Sequence, residues 1–353
     1  MMSQLGLASE CTTSYGWGDF ELSRLGQDRS CPVKDCSESP VPYPSGSTRV
    51  CCQHGLRLHK NTFAYFNGFS REHRITASLR NFHVRRDYVR EHVLFSPDKA
   101  ETHRLGHEMS EDAVSWNVFV GLQEAQLLGA TTTFLTGGTI AAPDREPELY
   151  LWGARVGGDS TTIYPALAAA RDSLEKDVRK YRTEPDIMLV SPGKFVVCIE
   201  AKFGSANTLA SPGAAKDGEK PHDVLGLLGR YLDPASPQTR AAIERASIGP
   251  KLHSQLFRNI VFASEMADGC EWHVVNLVST TQWRGQRDSP TASFRDPSED
   301  VRSYLAPASK GRFSFRTWEG LYRDLLSKQQ RAGAVGIYFR SKSAHFRPAF
   351  DLV

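Results

Sequence analysis

Apolar and polar positions are most sharply patterned between residues 184 and 204. Ile187 to Val190 is an apolar run, and Phe195 to Ile199 is a second one rich in β-branched residues. Short runs of this kind bounded by turn residues predict strands. Ser191-Pro192-Gly193-Lys194 between them has turn chemistry, with Pro fixing φ and Gly free to take positive φ. The pair therefore reads as a hairpin, which Asp186 enters and Glu200 leaves. Lys202 stands two positions after Glu200, so on a strand both side chains share a face. Two carboxylates and an ammonium at one end of a hairpin are costly to hold without a ligand. A divalent cation resolves that cost.

The rest of the chain alternates helical and strand patterns. Ser110 is an N-cap candidate, with Glu111 and Asp112 in the first turn where the helix dipole favours negative charge. Val114, Val118, Phe119 and Leu122 form the apolar side of this helix to about Leu128, with Gly129 as its stop. A strand is expected from Leu149 to Arg155, bending near Trp152-Gly153, and an amphipathic helix from Tyr164 to Tyr181. After the hairpin, Ser205 to Lys220 is a long polar loop of the kind that faces substrates. Short helices follow near Asp223–Tyr231 and Pro237–Ala246, then a stronger one from Leu252 to Met266 carrying Gln255, Arg258 and Asn259. Trp272–Ser279 reads as a buried strand and Arg312–Arg316 as a short one. Thr317 caps a helix from Trp318 to Gln329, and residues 334–353 form a C-terminal helix or extension docked by Tyr338, Phe339 and Phe346. From residue 110 onward this order predicts an α/β fold, a mixed central sheet flanked by helices on both faces.

The N-terminal third is different. Residues 1–30 show no sustained period and read as a loosely docked leader. Cys31 and Cys36 flank one short segment, and Cys51-Cys52-Gln53-His54 forms another. Cys31, Cys36, Cys51 and His54 make a zinc-ribbon-like ligand set for a structural Zn²⁺. Cys52 competes with Cys51, because adjacent positions do not both face one metal easily. Such an ion stabilises a loop-rich element too small for its own core. The Arg-rich stretch Leu79 to Leu94 suggests a helix presenting Arg85 and Arg86 to phosphates, or equally a solvated helix packed on the main domain. The chain thus divides into a leader (1–30), a zinc-ribbon-like module (31–60), a basic segment (61–104), a main domain (105–330) and a C-terminal extension (331–353).

Composition narrows the class. The 353 residues are 40% hydrophobic and 24% charged with net charge +3, which describes an ordinary globular protein and does not by itself imply nucleic acid. No apolar run is long enough for a transmembrane helix and the N-terminus lacks signal-peptide features, so no membrane partner is expected. Seven cysteines without a regular framework suit reduced thiols and a cytoplasmic location.

Pro185-Asp186, thirteen intervening residues, and Glu200-Ala201-Lys202 together resemble the signature of the PD-(D/E)xK nuclease superfamily, the restriction-endonuclease-like fold. Glu111, opening a helix upstream, is similar to that family's first-helix acid. Gln255 with Arg258 one turn later is similar to the glutamine motif of its RecB-like branch, although Asn259 stands where that branch carries Tyr. The resemblance covers about residues 105–330 and does not include the Cys/His module. It implies a nuclease dependent on Mg²⁺ or Mn²⁺, with a nucleic-acid substrate for which DNA is the favoured reading and RNA stays open, in a bacterial defence, restriction or repair setting. Asp186, Glu200 and the Ala201 carbonyl would hold the cation. Lys202 would orient or deprotonate the attacking water, Glu111 would hold a second cation or its waters, and Gln255 would position Lys202, water or phosphate. Arg258 would serve structure or phosphate binding. A homodimer or a defence-system partner is compatible with this class. Two other readings stand beside it: a nucleic-acid-binding protein on the same fold without turnover, and an interaction protein docking through its zinc ribbon.

Overall fold

The computed structural model describes residue 22 and residues 30–44, 46–94, 105–141, 143–157, 162–178, 182–210, 220–221, 223–250, 252–281, 292–293 and 295–352. Most of the expected leader, and the centre of the expected 205–220 loop, lie outside these residues. The chain forms two compact units, one of Met1–Gly121 with Gly333–Val353 and one of Leu122–Ala332.

The first unit is built on an antiparallel meander of four short strands in the order β1 (Val41–Pro42), β2 (Arg49–Cys51), β3 (Leu56–Leu58) and β4 (Phe63–Tyr65). Strand alternation gives the meander two faces. Cys51, Leu56, Leu58, Phe63 and Tyr65 pack with Val33, Ala77 and Phe346 on one. Val50 and Phe66, with Tyr43 and Cys52, pack on the other. Helix α1 (Arg71–Leu79) is capped by Ser70, whose hydroxyl accepts from the His73 amide. The expected helix over 79–94 does not form as one piece. α1 ends at Leu79, and Arg85 takes a left-handed φ of 48° before a short helical segment, Arg86–Tyr88, that widens into a π-type turn over Val89–Val93. The first arginine of that stretch is structural. Arg80 is 2% exposed, donates to the carbonyls of Gly55 and His54 and to Asn67, and lies 4.7 Å from the centre of the Tyr65 ring.

Helix α2 (Glu111–Glu124) starts as its sequence predicts, with Ser110 Oγ accepting from the Ala113 amide at 3.1 Å. It stops at Glu124 and not at Gly129, which sits inside the next helix. Within the first unit, the C-terminal segment forms a helix (Gly333–Ser341) and a two-stranded hairpin, Ser343–Ala344 with Arg347–Pro348. Lys342 is buried there. It donates to the Glu108 carbonyl at 2.7 Å, and burial lowers its pKa to about 8.

The second unit is mixed α/β. Its principal elements are α3 (Leu128–Thr136), β5 (Glu148–Leu151), β6 (Ala154–Arg155), α4 (Pro165–Leu174), β7 (Ile187–Ser191), β8 (Phe195–Lys202), β9 (Asn207–Thr208), α5 (Ser254–Ala267), β10 (Glu271–Val278), β11 (Ala292–Ser293), β12 (Phe313–Thr317) and α6 (Trp318–Asp324), and short helices at Val224–Leu227, Pro237–Ala242 and Ser298–Ser303 lie between them. The six-stranded sheet runs β12-β10-β8-β7-β5-β6. β5, β6, β7 and β8 pair antiparallel with one another in that sheet, whereas β8–β10 and β10–β12 are parallel. Trp152 and Gly153 both take positive φ, 52° and 83°, in the two-residue turn between β5 and β6. That geometry matches the twist of a hairpin. Parallel neighbours need a crossover, and α5 lies within the one joining β8 to β10. All eight residues of β8 are buried, as expected for a strand covered on both faces. Leu167, Leu174, Met188, Val190, Val196, Cys198, Leu256, Ile260 and Val274 form the core between α4, α5 and the sheet. The helix expected to reach Tyr181 ends at Leu174, and residues 179–181 lie outside the described set. Likewise α6 ends at Asp324, with a 3₁₀ turn over Leu326–Lys328 replacing its expected last turn.

Candidate functional site

The β7–β8 hairpin places the acids and the lysine as the strand period requires. Ile187 pairs with Ile199, so one step outward Asp186 stands across from Glu200. Gly193 turns the hairpin with φ 69°. Asp186 is half-buried, and its Oδ2 accepts from the Ala201 amide at 2.9 Å. Glu200 and Lys202 are 3% and 7% exposed, with the ammonium 2.6 Å from Glu200 Oε1. This contact is a buried ion pair, and it engages Oε1. The other oxygen, Oε2, accepts from Asn259 Nδ2 at 2.8 Å. The Lys202 carbonyl accepts from the Ser279 amide and from the Trp318 indole, which fixes the end of β8 against β10 and α6.

Gln255 and Asn259 lie one turn apart on the helix after the hairpin. Gln255 lies at the start of α5, and its Oε1 accepts from Thr208 Oγ1 at 3.4 Å. Asn259, one turn later, is the α5 side chain that reaches Glu200. Ser254 Oγ donates to the Thr208 carbonyl and the Ala210 amide donates to the Leu252 carbonyl, so the segment after β8 is laced to the α5 N-terminus. Asn276 in β10 donates to the Glu200 carbonyl at 3.3 Å and accepts from Asn207 at 2.9 Å. Glu319 at the start of α6 is fully buried and accepts from Ser279 Oγ and the Thr280 amide. The signal for Asn276 is an amide inside the apolar run Val274 to Val278. The signal for Asn259 is only its place one turn beyond Gln255.

The remaining expected residues are placed as follows. Glu111 is half-buried in the first turn of α2, in the first unit. Ala201 is buried in β8. Arg85 and Arg86 are exposed. Arg258 is half-buried on α5, and among the described residues its buried Nε has no hydrogen-bond partner. Among the described residues, the one group of three or more His, Cys, Asp or Glu side chains close enough to share an ion is Cys31, Cys36, Cys51 and His54. Glu111, Asp186 and Glu200 do not form such a group.

Comparison with protein-family models, with curated proteins and with solved structures finds no match for this chain.

The Cys/His cluster lies in the first unit, on two tight turns. In one, Asp35 takes φ 60° and the Cys36 amide donates to the Val33 carbonyl, bringing Cys36 back toward Cys31. In the other, the chain leaves β2 through Cys51 and turns at Gly55, φ 58°, carrying His54 beside Cys51. The four ligand atoms lie within 4.8 Å of one another. Cys31 Sγ and Cys51 Sγ are 3.5 and 3.6 Å from His54 Nδ1, and Cys36 Sγ is 3.8 Å from Cys51 Sγ. Tetrahedral zinc with ordinary bond lengths requires edges of about 3.6 Å for S–N and about 3.8 Å for S–S. The cluster therefore fits a metal such as zinc. Strand alternation settles the rivalry between neighbours, since Cys51 faces the cluster and Cys52 packs on the opposite face with Val50 and Phe66. Without a metal, the adjoining Cys31 sulfur and burial push the Cys51 thiol well above its ordinary range, and burial raises Cys36. Burial also lowers the His54 pKa, which favours the neutral ring that ligates metals.

No helix among the described residues is long and apolar enough to cross a membrane.

Proposed function

We propose that the second unit hydrolyses phosphodiester bonds, with DNA as the favoured substrate, and that the first unit is stapled by a structural zinc ion. The observation that carries the hydrolytic reading is the buried Glu200–Lys202 pair at the end of β8, opposite Asp186. Burying an ion pair is an inefficient way to stabilise a fold, because desolvation offsets most of the attraction. Asp186 and Glu200, facing each other at the strand ends, offer the carboxylate oxygens that a hard divalent cation takes.

Asp186, Glu200 and the Ala201 carbonyl would hold Mg²⁺ or Mn²⁺. Such a cation, when bound, acidifies a water and neutralises charge on the phosphate. Lys202, held beside Glu200, orients the attacking water and offsets the negative charge that grows on the scissile phosphate. Asn259 fixes the rotamer of Glu200 through Oε2. Asp186 is held by the Ala201 amide, so both acids are set by hydrogen bonds before substrate arrives. The mixed sheet, the acid at the start of β7 and the Glu-x-Lys at the end of β8 support the resemblance to PD-(D/E)xK nucleases. A defence, restriction or repair setting belongs to the same reading.

The test is cleavage of supercoiled plasmid and of linear DNA by the zinc-replete protein in Mg²⁺ or Mn²⁺, beside Glu200→Ala and Lys202→Ala. Cleavage that needs both the cation and the two residues supports the proposal. Equal cleavage by all three proteins contradicts it, as does none with any metal or DNA form.

A further inference from the structure

A cavity of about 150 Å³ lies in the first unit, lined in part by Tyr43, Phe66 and Phe69. Tyr43, Phe66 and Phe69 form one wall as a mutually packed aromatic set. Tyr43 and Phe69 stack with ring centres 5.5 Å apart at 26°, and Phe66 meets both edge-on at 5.9 and 5.4 Å. Phe69 is 44% exposed, so a ring face remains open to a ligand. Two arginines, Arg57 and Arg74, also line it, and among the described residues no carboxylate does. Arg57 lies 5.3 Å from the Tyr43 ring centre, and among the described residues its buried Nε has no hydrogen-bond partner. The strand register explains its direction: Arg57 pairs with Val50 and Ala64, so it points away from the face that carries Cys51.

This chemistry selects its ligand. A cation is disfavoured by the two guanidinium groups. A purely apolar ligand would leave the two guanidinium groups without an anionic partner. An aromatic ring bearing a phosphate satisfies both walls, by stacking on Phe69 and by pairing with the guanidinium groups. A cavity of about 150 Å³ accommodates one benzene-sized ring, so a pyrimidine fits and a purine must protrude.

We propose that this cavity binds one pyrimidine nucleotide of a single-stranded nucleic acid, its base stacked on Phe69 and its phosphate held by Arg57 and Arg74. The choice of a strand over a free nucleotide rests on the function proposed above. The cavity gives the protein a recognition site for unpaired bases in the same unit as the Cys/His cluster.

The experiment is fluorescence-anisotropy binding of labelled oligothymidylate and oligodeoxyadenylate to the full-length, zinc-replete protein without added Mg²⁺ or Mn²⁺. Strand integrity is checked afterwards on a gel. Thymidine monophosphate, inorganic phosphate and duplex DNA serve as competitors. Tighter binding of oligothymidylate is expected, with competition by the monophosphate at higher concentration. Phe69→Ala should weaken binding about fivefold or more, whereas Phe69→Trp retains it. Arg57→Gln should weaken it and flatten its salt dependence. Zinc content and thermal melting establish that the variants are folded. Unchanged affinity in folded Phe69→Ala and Arg57→Gln overturns the proposal, and so does the absence of oligonucleotide binding. Equal competition by inorganic phosphate and thymidine monophosphate removes the base-stacking part, and binding of the monophosphate alone removes the strand. Binding that follows these residues in a protein inactive with every metal overturns the hydrolytic reading and leaves the cavity assignment standing.

Discussion

Asn259 Nδ2 donates to Glu200 Oε2 at 2.8 Å, and both side chains are almost completely buried. The amide therefore satisfies one oxygen of a carboxylate that water does not reach. Removing it leaves that oxygen with no donor, a loss of about 1–3 kcal/mol for a buried polar group. Asn259→Ala should be destabilised by that order in chemical denaturation, and should lose activity through a misplaced Glu200. Wild-type stability in Asn259→Ala would show that the hydrogen bond does not hold the acid.

Glu200 and Lys202 offer a way to separate stability from chemistry. Truncating one partner of a buried ion pair costs about 3–5 kcal/mol, whereas replacing both by apolar residues of similar volume is often neutral or stabilising. Lys202→Ala should melt well below the wild type. Glu200→Leu combined with Lys202→Met should recover most of that loss and remain inactive. Cleavage by the double variant would show that the pair has no part in the reaction.

The Cys/His cluster makes a compositional prediction. Elemental analysis of the purified protein should give one zinc per chain. Cys31→Ser, Cys36→Ser, Cys51→Ser and His54→Ala should each lower that content, and Cys52→Ser should not. Because the ligating thiols must lose their protons, zinc affinity should fall as pH falls. Loss of zinc in Cys52→Ser with retention in Cys51→Ser would reverse the assignment.

Buried histidines set the direction of acid destabilisation. His273 is fully buried, bonded to Ser314 Oγ and near Arg316, Arg312 and Arg302; burial first, and these cations next, lower its pKa to about 3. The unfolded ring titrates near 6.5. Between these values the unfolded chain binds a proton that the folded chain refuses, so stability falls as pH falls, by up to about 1.4 kcal/mol per pH unit. His83 and His107, each lowered to about 4 by burial, act with the same sign in the first unit. Urea unfolding from about pH 7 to about pH 4.5 should show this slope, reduced by close to one proton in His273→Gln. Equal slopes in the two proteins would remove His273 from the account.

Strand period and turn chemistry make the hairpin legible. Asp186, Glu200 and Lys202 follow from two apolar runs, a Pro-Gly turn and a two-residue repeat, all of which are local. The Cys/His ligands are legible for the same reason, since short spacings bring them onto adjoining turns. What stays hidden depends on distant partners. Asn259 is fifty-nine positions from Glu200, and no local rule distinguishes it from Gln255 one turn earlier. Arg80 reads as part of a phosphate-facing helix, yet its guanidinium is spent on the Gly55 and His54 carbonyls. Gly129 reads as a helix stop, but α2 ends before it, at Glu124, and Gly129 is accommodated inside α3. Helix ends are hidden where polar side chains such as Glu175 turn inward: it is wholly buried and accepts from Thr183 and Tyr231, which ends α4 well before Tyr181.

The central claim is that a divalent cation sits at the open end of the β7–β8 hairpin. Crystals of the zinc-replete protein soaked in Mn²⁺, with anomalous data collected at the manganese edge, test it directly. The expected result is a manganese peak bonded to Asp186 and Glu200, with the Ala201 carbonyl in reach, that disappears in Asp186→Asn. A fully occupied wild-type soak with no peak at these residues, or a peak that persists unchanged in Asp186→Asn, would contradict it.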